Sequence, residues 1–263
     1  MAKVAIVTGS ATGLGAACAI DLAGRGWNVA INYTKSKKEA DETYEAVKAK
    51  GVEAILVQAD MGQDADCRKL VAETMKKWGR IDGLVNNAGT TKFQSQGDLD
   101  GVSPEDFDRI LRVNVTGPYM MSRAVWPTMK KQWDEKQERG SIVNISSIAG
   151  VMGVGTSIPY AASKGALNTL TLSLARWFGP AVRVNTVCPG FIQTRWLLGA
   201  LGQDDYEKLK QAQEQTTPLR QAGTPEQMAE AVIFFLTSAS NITGEFLIVD
   251  AGTHLGGLPM KGR

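Results

Sequence analysis

Short runs of β-branched and other apolar residues alternate along this chain with longer amphipathic segments. KVAIVT precedes such a segment over 13–26, NVAINY one over 36–51, EAILVQ one over 64–79, and DGLVNN one over 104–131. GSIVNIS then leads into 157–178, AVRVNTV leads towards 224–238, and EFLIVD closes the series. Alternation of this kind predicts strands joined by helical crossovers, hence a parallel sheet wound on both faces. The short runs are nearly continuous in apolar residues, as strands covered on both sides should be. Seven strands and six principal helices are expected. No linker-like stretch and no internal period divides 1–263, so a single domain is expected over that whole range. Two segments are too long for simple connections, 90–103 and 191–223. Both follow strands at the sheet's carboxyl end, where ligands of such folds bind, so both are candidate substrate walls, the second a candidate lid.

Composition narrows the function classes. Of 263 residues, 43% are hydrophobic and 21% charged, which suffices for a sizeable core without disulfides or metals. The formal charge of +2 is spread among mixed signs, so no nucleic-acid footprint and no nucleic-acid partner is expected. The hydrophobic stretches are short, and MAKVAIVTG enters a strand-like run without a signal-peptide pattern. No membrane association and a cytoplasmic location follow as expectations. Cys18, Cys67 and Cys188 are odd in number and far apart, which fits reduced, buried thiols. The only histidine, His254, reads as a tail residue near the surface, without an acidic partner at ligand spacing. No metal site is expected, and a zinc dehydrogenase or a Ser-His-Asp hydrolase is disfavoured.

The first strand runs into Thr8-Gly9-Ser10-Ala11-Thr12-Gly13-Leu14-Gly15. Glycines at a strand-to-helix turn let backbone N–H groups and the helix N-terminus approach a pyrophosphate, although alone such a loop also fits an ordinary turn. The second strand ends in Tyr33-Thr34-Lys35-Ser36-Lys37-Lys38, with no acid to receive the ribose hydroxyls of NAD. Lys35, Lys37 and the hydroxyls of Thr34 and Ser36 suit a 2′-phosphate, so NADP(H) is expected over NAD(H); lysines that merely solvate a helix start are the plain alternative.

Tyr160 and Lys164 stand four residues apart at a helix start, hence on one face. A phenol with an ordinary pKa of about 10 needs roughly 4 kcal/mol of differential stabilisation to reach neutrality, for which an ammonium and an oxidised nicotinamide are suited. Ser147 lies at a strand end thirteen positions earlier and can donate to a substrate carbonyl. Asn114, inside a long helical segment, can hold a water between Lys164 and solvent through its side chain and local backbone.

With these motifs in order, the chain resembles the short-chain dehydrogenase/reductase family over essentially its whole length. The matching features are TGSATGLG at 8–15, Asp60, Asn86-Asn87-Ala88-Gly89, Asn114, Ser147, Tyr160 with Lys164, and Pro189-Gly190 before Thr194. The resemblance implies a Rossmann-type fold and NAD(P)-dependent hydride transfer between a ketone and a secondary alcohol. It implies Tyr160 as general acid/base, Lys164 lowering its pKa and holding the nicotinamide ribose, Ser147 orienting the carbonyl, and Asn114 in a proton relay. It further implies Asp60 and Met61 at the adenine, Asn87 beside the cofactor, and Val187, Gly190, Ile192 and Thr194 at the nicotinamide amide; for Asp60 a helix cap and for Asn87 a turn role remain alternatives. A homotetramer through 104–131, 157–178 and the last strand is implied by analogy. Two departures stand out: Thr12 replaces the basic residue frequent in NADP-preferring members, and Asp250-Ala251-Gly252 replaces Asp-Gly-Gly, a change expected to affect packing.

For the substrate, 133–139 and 176–180 carry little basic excess, which argues against an acidic carrier protein. Phe93, Met152, Val154, Phe191, Trp196, Leu197 and Leu198 suggest an apolar wall suited to a moderately bulky free carbonyl compound or its alcohol; a lid packed on its own domain is the alternative. Reduction of 3-oxoacyl groups on acyl carrier protein, oxidation of a sugar or polyol, and a non-catalytic dinucleotide sensor are the competing readings.

Overall fold

The computed structural model describes residues 2–256; Met1 and 257–263, the ends of the range read as one domain, lie outside the described residues. Seven parallel strands form one sheet in the order β3-β2-β1-β4-β5-β6-β7, as the alternation predicts. They are β1 (Val4–Val7), β2 (Asn28–Tyr33), β3 (Ala54–Gln58), β4 (Gly83–Asn86), β5 (Gly140–Ile145), β6 (Val182–Pro189) and β7 (Phe246–Val249). The crossovers are α1 (Gly13–Gly24), α2 (Lys37–Lys48), α3 (Asp64–Trp78), α4 (Pro104–Leu111) continuing through a π-helical turn into α5 (Gly117–Lys136), a short α6 (Ala149–Met152), α7 (Ile158–Phe178), α8 (Arg195–Leu201), α9 (Gln203–Thr216) and α10 (Pro225–Ile233).

Both sheet faces are buried, which explains the unbroken apolar strands. On one face Ala5, Val7, Val29 and Ile31 meet Cys18, Leu22, Val232 and Phe235 of the α1 and α10 side. On the other Ile6, Ala30, Leu84 and Ile142 meet Leu70, Met121, Val125 and Leu174 of α3, α5 and α7. Each fully buried side chain of this size contributes roughly 1.5–3 kcal/mol by leaving water. The three cysteines are free and buried. Helix starts follow local chemistry: Ser103 with Asp106 and Thr224 with Gln227 form capping boxes ahead of Pro104 and Pro225.

The structure corrects several sequence-based boundaries. The segment read as one helix over 104–131 runs on to Lys136 and contains a π turn at Arg112–Thr116. The helix read over 224–238 likewise ends in a π turn at Phe234–Ser238. A hydrophobic repeat does not register one inserted residue, so neither turn was foreseeable from periodicity. The 191–223 insertion is largely helical, as α8 and α9. No helix among the described residues is long and apolar enough to cross a membrane.

β1 pairs with β2 on one side and β4 on the other. The winding direction therefore reverses between β1 and β4, and the crevice at their carboxyl ends is where the loops carrying the candidate residues converge.

Candidate active site

The glycine loop leaves β1 at this crevice. Gly9 has φ +60°, and a Cβ on it would stand 2.9 Å from Ala88 Cα, so both conformation and space require glycine. Asn87, at the end of β4, donates through Nδ2 to the carbonyls of Thr8 and Gly9 (3.0 and 2.9 Å). The N–H groups of Asn87 and Ala88 both donate to the Thr8 hydroxyl at 3.0 Å. Buried Asn32 does the same from β2: its Oδ1 accepts from Gly9 N, while its Nδ2 donates to Val57 and Ala59 carbonyls. Thr8 and Asn32 were not singled out from sequence; an asparagine set among the apolar residues near the end of NVAINY was the available signal.

This loop delivers the N-terminus of α1. Thr12 makes no side-chain cap there and the first turn holds no acid, so its amide groups and positive dipole end are available to an anion. A Cβ on Gly13 would meet only Thr194 Cγ2 and Cβ, at 3.4 and 3.9 Å, leaving room between loop and lid. These features fit a dinucleotide pyrophosphate. Thr194 caps α8 by accepting from Leu197 N at 3.4 Å. Gly190 donates to Val249 O, and a Cβ on it would strike Asp250 Cβ at 2.6 Å. Pro189 accepts at its carbonyl from Ile148 N, and Ile192 pairs with Gly223 as an isolated bridge. Gly89 is exposed between Asn114 Oδ1 and Lys164 Nζ, 3.5 and 3.8 Å from its would-be Cβ.

Other candidates are placed less directly. Leu14 and Met61 bury their side chains in the two cores, so only their backbones can face a ligand. Gly15 is packed under Asn87 and Gly9. The Asp60 carboxylate accepts from Gly62 N at 2.8 Å within a turn, while Gln63 stands at the N-cap of α3, so Asp60 does not fill the helix-cap role given as its alternative. In the 33–38 segment Thr34 donates to Ala59 O, and Lys37 pairs with Asp41 beside the Tyr33 ring. Lys37 thus has an acidic partner at the surface; Lys35 and Ser36 stand exposed beside it.

Ser147, Tyr160 and Lys164 come together at the end of β5 and the start of α7. Burial pushes the Tyr160 phenol up to about 12, opposed by its hydrogen bond with Ser147. Ser147 Oγ also accepts from Ala149 N at 3.1 Å. Lys164, 5% exposed, donates from Nζ to Ile145 O at 2.7 Å and lies 5.5 Å from the Tyr160 ring centre. Burial pulls its pKa down to about 8. Desolvation dominates, and bringing the phenol from about 12 to 7 requires roughly 7 kcal/mol rather than 4. The neighbouring Ser146 has a different task, donating to Lys164 O at 3.1 Å.

Asn114 sits in the π turn. Its Oδ1 accepts from Thr90 N (2.8 Å), and its Nδ2 donates to Thr90 O (2.9 Å) and Ser163 Oγ (3.0 Å). Ser163 Oγ in turn donates to Tyr160 O at 2.7 Å. With both amide hydrogens used, the Asn114 side chain is a tie rather than a water holder, contrary to the reading that gave it this role alongside the backbone.

Of the apolar wall, Trp196 and Phe93 meet edge-on at 5.2 Å and 61°, and Trp196 lies 6.5 Å from the Tyr160 ring. Through Trp196 the lid thus touches the 90–103 insertion and α7. Phe191 turns instead to Tyr206 of α9, at 6.0 Å. Met152 and Val154 stand 41% exposed beyond Ser147. His254 is partly exposed but not partnerless: its Nδ1 pairs with buried Asp250 at 2.9 Å, one helical turn earlier. No group of His, Cys, Asp and Glu among the described residues could hold a metal ion.

With this geometry in view, comparison with known proteins gives a consistent result. A family profile described as Enoyl-(Acyl carrier protein) reductase matches residues 9–254. A protein named ketoacyl reductase 2 of the granaticin polyketide synthase, from Streptomyces violaceoruber, is 41% identical over 97% of both chains. A 3-oxoacyl-[acyl-carrier-protein] reductase from Staphylococcus epidermidis is 34% identical over 97% of this chain and 100% of its own. Among solved structures, a short-chain dehydrogenase/reductase from Burkholderia xenovorans superposes with a TM-score of 0.89 at 37% identity, covering 97% of this chain and 99% of the other.

Proposed function

Because the chain belongs to the short-chain dehydrogenase/reductase family of oxidoreductases, which use a nicotinamide cofactor, we propose that it interconverts a ketone and a secondary alcohol, with NADP(H) preferred over NAD(H). The observation that carries this reading is the convergence of Ser147 and Lys164 on the Tyr160 ring beside the open N-terminus of α1.

The cradle formed by Gly9, Thr12, Gly13, the backbone of Leu14, Gly190 and Thr194 would hold the dinucleotide, whose chemistry there would be to supply a hydride to the carbonyl carbon. Ser147 donates a hydrogen bond to the substrate oxygen. Tyr160 releases its phenolic proton to that oxygen as the C=O bond becomes C–O–H, and the phenolate left behind is stabilised by the Lys164 ammonium. The proton is replaced through Lys164 and water held at the Asn114 carbonyl. Oxidation of the alcohol runs the same path backwards, with Tyr160 as base. Replacement of Tyr160 by phenylalanine should remove turnover by 10²-fold or more while leaving cofactor binding within about twofold. Retained turnover would exclude this role, and a protein that binds NADPH yet never turns over any carbonyl would be a sensor.

A free carbonyl compound fits the wall better than a carrier-bound one. The names of the granaticin and Staphylococcus relatives favour the second reading, a 3-oxoacyl reductase. Most of the basic residues ahead of β5, however, have partners, Lys130 with Asp134, Lys131 at 3.8 Å from Glu135, and Arg139 on the Pro180 carbonyl, and Lys136 stands exposed without an ion pair among the described residues. Comparing a free 3-oxoacyl thioester with its carrier-bound form decides between them, and a strong advantage for the carrier would select the second. Exposed Leu172 and Trp177 on α7 and Leu247 on the edge strand β7 support a homotetramer, which light scattering would test.

A further inference from the structure

Three aromatic rings from three separate segments, the proposed proton donor among them, form a chain of ring contacts. Phe93 comes from the insertion after β4, Trp196 from the first turn of α8, and Tyr160 from α7. Trp196 stands edge-to-face with Phe93 at 5.2 Å and 61°, and tilted over Tyr160 at 6.5 Å and 48°. Despite two aromatic neighbours it keeps 47% of its surface exposed. The cation beside Phe93 does not compete for the space, because Lys92 is paired with Asp106 at 2.6 Å.

A carbonyl oxygen held by Ser147 and Tyr160 must direct its substituents away from the sheet. The side chains waiting there are the Trp196 and Phe93 rings. Aromatic rings recognise one another through their quadrupoles in offset or edge-on contacts at 4.5–7 Å, a gain beyond apolar area that a saturated ring of equal size does not receive. We infer that Trp196, backed by Phe93, is a specificity-determining residue that selects ketones carrying a flat aromatic ring one methylene away from the reacting carbon. Trp196 acts as the face against which that ring lies, and Phe93 fixes its orientation from the opposite insertion. This inference rests on the ketone-reductase reading above.

The test uses 2-tetralone and 2-decalone, bicyclic ketones of the same skeleton in which the carbonyl is not conjugated to the ring, reduced by the full chain with NADPH. The wild type should favour 2-tetralone by about 3–10-fold in kcat/KM, mainly through KM. Trp196→Phe should keep most of that ratio and Trp196→Leu should bring it to about one. Because the ratio is internal to each variant, a partly unfolded preparation does not alter it. A wild-type ratio near one, or one unchanged in Trp196→Leu, overturns the inference and leaves the reductase reading standing. Turnover of a 3-oxobutyryl thioester but neither bicyclic ketone also overturns the inference alone. If ketones and thioester are all refused with both NADPH and NADH, the reductase reading fails with it.

Discussion

Lys164 carries the sharpest conflict between folding and chemistry. Its pKa falls to about 8 on burial, against about 10.5 in an unfolded chain. Between these values the unfolded state binds more protons, so Lys164 costs stability at neutral pH, and the cost is relieved as pH rises from about 8 to about 10.5. The difference is roughly 3 kcal/mol at full expression. Lys164→Met should therefore melt no lower than the wild type at pH 7 while losing turnover, and its advantage should shrink towards pH 10 in thermal scans. A lower melting temperature at pH 7 would contradict the buried-charge account. The same ionisation shapes the rate: with Tyr160 protonated up to about 12, kcat/KM for carbonyl reduction should be level through neutrality and decline above about pH 8 as Lys164 loses its charge. At Ala251 the cost has no chemical return. Its φ of +56° is the left-handed conformation, disfavoured for an L-residue by about 1–2 kcal/mol. Set against the greater freedom of glycine in the unfolded chain, Ala251→Gly should stabilise by about 0.5–1 kcal/mol, a rise of roughly 1–4 °C in Tm.

Between elements, the site depends on ties that span long stretches of chain. Asn114 joins the π turn to the 90–103 insertion through Thr90 and to α7 through Ser163. Asn114→Ala leaves Thr90 N–H and C=O without these partners, at roughly 1–3 kcal/mol for each group left buried and unpaired. Faster hydrogen exchange should appear in 89–94 and at the start of α7, in addition to a lower Tm. A second tie is ionic. Asp106, capping α4, is held down at about 2 by Lys92, with Ser103 and Arg109 adding to the effect. A carboxylate depressed in this way contributes above its unfolded pKa and loses its contribution as pH falls through the folded value. The hold on Lys92 should therefore weaken below about pH 4 and vanish near pH 2. Asp106→Asn should raise hydrogen exchange in 90–103 at neutral pH with little change in α7, and unchanged exchange in that insertion would show that Arg109, bonded to Thr90 Oγ1 at 2.8 Å, suffices. Periodicity located 104–131 as helical but not the turn that aims Asn114, because a single inserted residue leaves the hydrophobic stripe almost unmoved.

For the whole molecule, strand–helix alternation was enough to read the parallel, doubly covered sheet, and the crevice at its switch point follows from topology. What stayed hidden was polar. Asn86, Asn144, Thr171 and Thr186 interrupt their apolar segments and meet in the interior: Asn86 Nδ2 donates to Asn144, Asn144 to Thr171, and Thr171 shares a 2.6 Å contact with Thr186. Partners 15 to 58 residues apart have no local signature. The NADP preference was read in the same way from the single run 33–38, and the pairing of Lys37 with Asp41 leaves Lys35 as the better donor to a 2′-phosphate. Ligand binding provides a measure at the scale of the fold, since a ligand at a hundred times its Kd adds about 2.7 kcal/mol to global stability. At equal concentration NADPH should raise Tm more than NADH. Lys35→Ala should reduce the NADPH shift alone, by about 1.4 kcal/mol or roughly 3–5 °C for each tenfold loss of affinity, while Lys37→Ala changes it little. Equal shifts for both cofactors in the wild type would remove the NADP preference, and an effect of Lys37→Ala larger than that of Lys35→Ala would mean that its ion pair with Asp41 opens when the phosphate arrives.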